Sequence, residues 1–324
     1  MADLLKEARE KPVVVLGDVM LDEFVHCMKE DSPEPPGLKL WVTNTEYRLG
    51  GAANVALNIA RLGGRALLVG VTGDDENAKM LRHKLVEQGR YTIEAFLVID
   101  PSRPTTVKTR FLSGGVAHLR VDREKREFIS GPVEKQLKVQ LAGAIDEVLG
   151  SPGSLIVSDY QKGVVTGGSG SLFQHVLHSR VPVYVDPKYR PAEFYRGVDV
   201  ITPNLKEASE LVGRTLDTPQ EIEEAGPELL KATVSKAVLV TQGEDGMTLF
   251  GSSEDPLHIP AIPVKEADTV GAGDTVISTL ALMRAVGATF AEAAIIANAA
   301  AGIVVSKVGT ATCSPEELLA QFVK

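Results

Sequence analysis

The chain has 324 residues, enough for one large α/β domain or two modest ones, and its apolar and charged shares are ordinary for a globular protein. The net charge of −9, with no Lys/Arg cluster to offset it, argues against a nucleic-acid partner. Cys27 and Cys313 lie far apart and outside any CxxC, residues 1–6 lack the apolar core of a signal peptide, and Arg284 and Glu292 interrupt the longest apolar run. These features exclude a disulfide framework and a zinc site, and they predict a cytoplasmic protein that does not engage the membrane.

Val13-Val14-Val15-Leu16-Gly17 is a short unbroken apolar run ending at glycine, the pattern of a strand buried on both faces. Asp18 and Asp22 follow, separated by Val19-Met20-Leu21, which is too apolar for a plain polar turn. Carboxylates just past a parallel strand sit where open α/β sheets take ligands. Residues 30–37 are rich in proline and acid, and 38–47 alternate as a strand does. Gly50-Gly51-Ala52-Ala53-Asn54 then opens a helix running to Gly63. Its small residues permit close approach of a ligand or another backbone, and Asn54 offers donor and acceptor together. Residues 66–70 read as a strand and 75–88 as an amphipathic helix. Residues 92–122 turn β-rich (93–98, 105–112 and 117–121) with little helical period. Segments 22–48 and 92–122 are therefore expected to be two insertions that form one small β-sheet, a lid over the C-terminal edge of the main sheet.

From Pro132 the alternation is regular: helix 132–149, strand 154–158, helix 169–179, strands 182–186 and 198–201, then helices near 204–212 and 219–231. Strand 236–241, a hairpin over 246–259 and three C-terminal helices complete it. The pattern predicts a single α/β domain with a mostly parallel sheet and helices on both faces. Polar residues collect just past strand ends, as Asp159 and Lys162, Asp186 and Lys188, Asn204 and Glu207, and Thr241 and Gly243, and together they imply a common cleft.

Asp268-Thr269-Val270-Gly271-Ala272-Gly273-Asp274-Thr275 leads into an alanine-rich helix. Taken alone it reads equally as an ordinary helix start with an acid in its first turn, or as an anion site beside a working carboxylate. The chain has no GxxxxGK[ST], no GxGxxG after its first strand and no GxSxG. Dinucleotide chemistry and serine hydrolysis are thereby disfavoured, and phosphoryl transfer remains. That reaction needs a positioned nucleophile, an anion hole and a divalent cation on the nucleotide. Residues 271–274 supply the first two, and Asn204 with Glu207, spaced i,i+3, would order magnesium-bound water. At the positive end of a helix Asp274 is expected to be a weak base, because the dipole favours its anion.

With these motifs the chain resembles the ribokinase-like (PfkB) family of carbohydrate kinases over essentially its whole length. The resemblance rests on Gly50-Gly51-Ala52-Ala53-Asn54, Thr202-Pro203-Asn204-Leu205-Lys206-Glu207 and Asp268–Thr275. It implies a three-layer α/β/α fold and ATP- and Mg2+-dependent phosphorylation of a hydroxyl, with Asp274 as base and Gly271, Ala272, Gly273 and Asp274 as anion hole. It also implies Asn204, Glu207, Thr241, Gly243 and Asn298 at the nucleotide, Glu207 acting on magnesium through water. Asp22, Gly51 and Asn54 match sugar-binding positions, and Asp18 and Gly50 beside them are assigned to the same site. Asp268 and the carbonyls near Val270, Val304, Lys307 and Gly309 would match a potassium site, with Cys313, an unusual residue there, at its last position. Within the family the chain most resembles the heptose-7-phosphate kinase branch, the kinase half of a bifunctional ADP-heptose synthesis protein. Gly17–Asp22, Ser158-Asp159-Tyr160-Gln161-Lys162-Gly163, Asp186-Pro187-Lys188, Asn298–Gly302 and Gly309-Thr310 carry that likeness. It implies a step towards a lipopolysaccharide precursor, and no adenylyltransferase domain is expected in residues 1–324.

The departures from that branch fall in the expected lid. Glu30-Asp31 stands before Ser32-Pro33-Glu34 where relatives carry Arg-Ile, and Gly114-Gly115-Val116-Ala117 stands where they carry Arg-Asn-Gln-Gln. A sugar phosphate needs cationic partners for its far end, and Lys108, Arg110, Arg120 and Lys188 are the candidates. Lys108 and Arg110 read equally as the wet face of a strand. A kinase for another sugar, phosphosugar or nucleoside, and a catalytically idle sugar-binding protein on the same fold, are the competing expectations. A small β-lid exposes edges and an apolar face, so a homodimer through the lid is also expected.

Overall fold

The computed structural model describes residues 1–31, 38–89, 92–150, 153–251, 255–265, 267–307 and 309–322. Helix α1 (Ala2–Glu7) leads into β1 (Pro12–Gly17), the apolar run that opens the core. β1 is buried along its whole length, Val13 and Val15 facing one helical layer and Val14 and Leu16 the other. Burial on both faces is why this strand is continuously apolar rather than alternating. The chain then leaves the main sheet for β2 (Val19–Asp31) and β3 (Leu38–Gly51), and returns through α2 (Ala52–Arg61), β4 (Arg65–Thr72), α3 (Glu76–Gly89) and β5 (Ile93–Ile99). β6 (Thr106–Ser113) and β7 (Val116–Arg123) make a second excursion before α4 (Gly131–Leu149).

The remainder alternates as β8 (Ser154–Ser158), α5 (Leu172–Leu177), β9 (Val183–Asp186), β10 (Val200–Ile201), α6 (Leu205–Val212), α7 (Pro219–Thr233) and β11 (Ala237–Thr241). The antiparallel strands β12 (Met247–Gly251) and β13 (Leu257–Ile259) and helices α8 (Ala272–Ala285), α9 (Phe290–Val305) and α10 (Pro315–Ala320) close the chain. Among the described residues the strands form a nine-stranded sheet, ordered β13-β12-β11-β10-β9-β8-β1-β4-β5, and a four-stranded sheet, ordered β3-β2-β6-β7. Helices α2, α8 and α9 pack on one face of the large sheet, and α4, α5, α6 and α7 on the other. This is the expected three-layer α/β/α arrangement.

From β1 the strand order runs one way to β4 and β5 and the other way to β8 and its successors. That reversal is a topological switch point, and open α/β sheets bind ligands outside the carboxyl ends of such strands. Asp18, Asp159, Asp186, Asn204 and Thr241 all fall at or just past those ends.

One expectation is corrected. Residues 93–98 do not belong to the small sheet: β5 pairs in parallel with β4 from Ala66↔Ile93 to Thr72↔Ile99, as the edge of the large one. The signal was the helix between them, since a strand–helix–strand unit is a parallel crossover. Among the described residues the small sheet consists instead of β2, β3, β6 and β7, with β2 paired to β3 and β6. Gly114 and Gly115, with φ of +60° and +81°, make the two-residue turn that joins β6 to β7. The departing residues Glu30 and Asp31 end β2, opposite Lys39 and Leu38 of β3, and Ser32-Pro33-Glu34 beyond them lie outside the described residues.

Candidate active site

Gly271 holds φ of +83° and caps α8; a side chain there would be strained and would crowd Asn54 Nδ2. The turn it makes leaves the amides of Gly271, Gly273 and Asp274 without an acceptor among the described residues. The Ala272 amide, expected in the anion hole, instead bonds the Thr269 carbonyl at 3.2 Å and closes the turn. Three open donors at the positive end of a fourteen-residue helix are an arrangement suited to an anion.

Asp274 sits in the first turn and is buried. Asn54 Nδ2 donates to its Oδ2 at 2.7 Å, and the Tyr160 hydroxyl donates to its Oδ1 at 2.9 Å. Burial pushes this carboxyl up to about 6, against the lowering effect of Asn54, Tyr160 and Lys108. The expected weak base is therefore corrected: desolvation of the anion outweighs the helix dipole. A carboxylate poised near neutrality suits a general base.

A cavity of about 930 Å³ opens beside Ala272 and Gly273, lined also by Asn204, Thr241, Gly243 and Asn298. Asn204 and Glu207 form a capping box at the start of α6, Asn204 Oδ1 accepting from the Glu207 amide at 2.9 Å and Glu207 Oε2 from the Asn204 amide at 3.0 Å. The other Glu207 oxygen pairs with Lys188. Asn298 bonds the Pro260 carbonyl at 2.9 Å and so shapes the cavity wall. Lys188 is thus drawn away from the expected sugar-phosphate role, because the buried acids Asp186 and Glu207 flank it. Burial and the neighbouring Glu207 hold Asp186 well above the usual carboxylate range. Two carboxylates balanced by one ammonium are a donor set that fits water-bound Mg2+.

On the other side of Asp274 stands the small sheet. Register puts Asp22 opposite Arg48 and Lys108, and Arg110 opposite Arg120, all on one face. Arg110 ion-pairs with Asp22, Arg120 with Asp122, and the Arg48 and Arg110 guanidiniums lie over the Phe24 ring at 5.1 and 5.4 Å. Lys108 is depressed by burial and lies near Asp22, Arg120 and Asp274. A side chain on Gly50 would stand 2.5 Å from Asp22 Oδ2, so the glycine lets β3 close on that acid. Gly51 caps α2 at φ of +54°.

Asp18 is not a sugar ligand in this arrangement. Its two oxygens accept from the amides of Tyr160, Lys162 and Val164 at 2.8, 3.0 and 3.2 Å, and it organises the loop after β8. Asp268 plays a matching part near the anion turn, accepting from Val270 at 3.1 Å and Gly309 at 2.7 Å. The Val304 carbonyl accepts from the Lys307 amide, and the Lys307 ammonium bonds the Thr312 carbonyl at 2.8 Å and Glu317 at 2.6 Å. The Cys313 thiol is pushed up to about 12 by burial and cannot serve as a thiolate ligand. The carbonyls of Val270 and Gly309 accept no backbone hydrogen bond among the described residues. Sequence reasoning missed Tyr160 and Arg48 as site residues, because each reaches it through a tertiary contact with no local pattern.

A model of the pfkB family of carbohydrate kinases matches residues 10–317. The chain is 41% identical over 315 residues to the bifunctional protein HldE of Bradyrhizobium diazoefficiens, and 44% over 308 residues to that of Azotobacter vinelandii. Each alignment covers 95% of this chain, which spans 62% of either relative's length. In fold it is similar to Arabidopsis thaliana ribokinase complexed with ribose and ATP (TM-score 0.75, 23% identity, 97% and 99% of the two chains). It is also similar to Escherichia coli phosphofructokinase-2 in complex with potassium (TM-score 0.77, 22% identity, 96% and 97%). The α/β fold is ribokinase-like, and the chain belongs to the pfkB family of carbohydrate kinases.

Proposed function

We propose that the chain transfers the γ-phosphoryl group of ATP to a hydroxyl of a phosphorylated sugar, heptose 7-phosphate at its anomeric hydroxyl being the acceptor most in keeping with the HldE relatives. The observation that carries the reading is the placement of buried Asp274 and its three open amides between the 930 Å³ cavity and a cationic sheet face. ATP takes the cavity, its γ-phosphate at the anion turn. Asp274 accepts the acceptor's hydroxyl proton, the sugar oxygen bonds to phosphorus, and the bond from phosphorus to the ADP oxygen breaks. Glu207 and Asp186 would hold Mg2+ through water, and the ion would supply neutralising charge to the phosphates. Potassium would sit on the carbonyls of Val270 and Gly309 and brace the anion turn.

Arg48, Lys108, Arg110 and Arg120 suit the acceptor's own phosphate. An ADP-release screen over free sugars, sugar phosphates and nucleosides tests this. Turnover on heptose 7-phosphate is expected, and Arg110→Ala should raise the KM for that acceptor about tenfold or more while leaving the KM for ATP alone. Activity on free sugars with none on heptose 7-phosphate would reject the acceptor, and no ADP release from any acceptor would favour an idle binding protein.

The small sheet also exposes Met28, Trp41, Val42, Val116, Leu119 and Val121. A cluster of that size on one small sheet is best covered by a second copy, making the lid a dimer interface. Light scattering should give a dimer, and Leu119→Asp combined with Val121→Asp should give a monomer; a monomeric wild type across a wide concentration range would end the idea.

A further inference from the structure

The loop after β8 delivers a phenol, that of Tyr160, to the base. Tyr160 donates its hydroxyl to Asp274 Oδ1 at 2.9 Å, and its ring lies 4.7 Å from Lys108 Nζ on the small sheet and 5.2 Å from Lys188 Nζ beside Glu207. One residue therefore touches the base, the sheet that faces the acceptor and the charge cluster on the nucleotide side. Both cation–ring distances fall within the range where the ring quadrupole attracts an ammonium.

The backbone around Tyr160 is built to hold it still. Asp18 accepts from the amides of residues 160, 162 and 164. Asp159 is clamped by Arg190 at 2.5 Å and by the Tyr195 hydroxyl at 3.0 Å. Arg103 ties the carbonyl of Lys162 at 2.7 Å to that of Glu127 at 3.1 Å. Gln161, between them, keeps φ of +54° without being glycine. A left-handed non-glycine residue persists only where its surroundings over-determine it, and such residues gather at working sites. The loop has this conformation because several buried groups demand it together, and the product is a phenol aimed at a carboxylate.

We propose that Tyr160 is a positioning residue for phosphoryl transfer. Its hydroxyl fixes one oxygen of Asp274, as Asn54 fixes the other, so that the remaining lone pairs face the acceptor hydroxyl. Its ring couples that orientation to the seating of Lys108, and hence to the closure of the small sheet over the acceptor. The inference rests on Asp274 acting as the base in the reaction proposed above. A phenol that donates to a carboxylate stabilises the anion, so it also helps keep the base unprotonated at working pH.

Tyr160→Phe removes the donor and keeps the ring with its two ammonium neighbours. It should lower kcat about 10- to 100-fold, leave the KM for ATP within about twofold, and move the acid limb of the pH–rate profile to higher pH. Carbon-13 NMR titration of the Asp274 carboxyl, assigned by its loss in Asp274→Asn, should show the same upward shift without reference to turnover. Unchanged melting temperature and ATP affinity would establish that the variant folds. Wild-type kcat with an unmoved limb overturns the proposal, and so does slow turnover accompanied by a weakened ATP KM and an unmoved carboxyl titration, which marks a merely structural role. In a variant too unstable to assay, 3-fluorotyrosine at position 160 supplies the test by strengthening the donated hydrogen bond at nearly constant shape: it should move the same limb to lower pH, and a silent result overturns the proposal. The coupling is read from Lys108→Met combined with Tyr160→Leu, whose effects on the acceptor KM should be non-additive; additive effects overturn it. Undiminished turnover in Asp274→Asn would remove the base assignment itself; collapse there with a wild-type Tyr160→Phe removes only the role of Tyr160.

Discussion

Asp274→Asn is expected to lower kcat by about 10²- to 10⁴-fold while ATP binding stays within about twofold. The asparagine keeps the shape and the partnership with Tyr160 but cannot take a proton from the acceptor. Nucleotide affinity should survive, because the cavity walls and the amides of Gly271 and Gly273 belong to the backbone and to other side chains. The pH dependence is fixed by the same group. Burial raises the Asp274 carboxyl to about 6, so kcat/KM should fall as pH drops through that value, because protonation removes the base, and should level off above it. Coupled ADP-release assays between pH 5 and 8, paired with calorimetric ATP binding, measure both. A variant that turns over at the wild-type rate, or a profile flat through pH 6, would remove Asp274 from the reaction.

That value also marks where local sequence reasoning stops. The octapeptide around Gly271 reads correctly as a turn into a helix, and Asn204 with Glu207 sits at a helix start as its spacing suggests. These are local features, set by residues within one turn of each other. The basicity of Asp274 is set by burial beneath the small sheet and by Asn54, 220 positions away, and Tyr160, 114 positions away. Nothing in the pattern near residue 274 carries that information. The same applies to Lys188, whose partner Glu207 lies in α6 beyond the neighbouring strand β10, and to Asp18, whose amides belong to a loop more than a hundred residues on. The edge strand β5 was misread for a different reason: without a helix between residues 99 and 106, the return to the small sheet has no marker in composition.

Asp18→Ala is expected to be the most destabilising single change near the site, by about 3–5 kcal/mol. It strips the acceptor from three amides at once, those of Tyr160, Lys162 and Val164, in a buried corner where water has little access. An unmatched buried amide costs about 1–3 kcal/mol, and the loop can recover only part of that by moving. The penalty should itself depend on pH, with a definite sign. Burial first, and then the nearby charge of Asp159, raise Asp18 to about 6, above the ordinary value of 3.8. Between those values the folded chain holds a proton that the unfolded chain has lost. Asp18 therefore contributes most stability below pH 4 and loses it as pH rises through 6. The variant lacks this group, so the gap between it and the wild type should be wider at pH 5 than at pH 7.5. Urea denaturation at the two values tests both parts; a loss below about 1 kcal/mol, or a gap wider at pH 7.5, would contradict the account. Because the same three amides hold the loop that carries Tyr160, turnover in folded Asp18→Ala should fall along with stability, and Asp18→Asn, which keeps one carbonyl acceptor, should recover part of each.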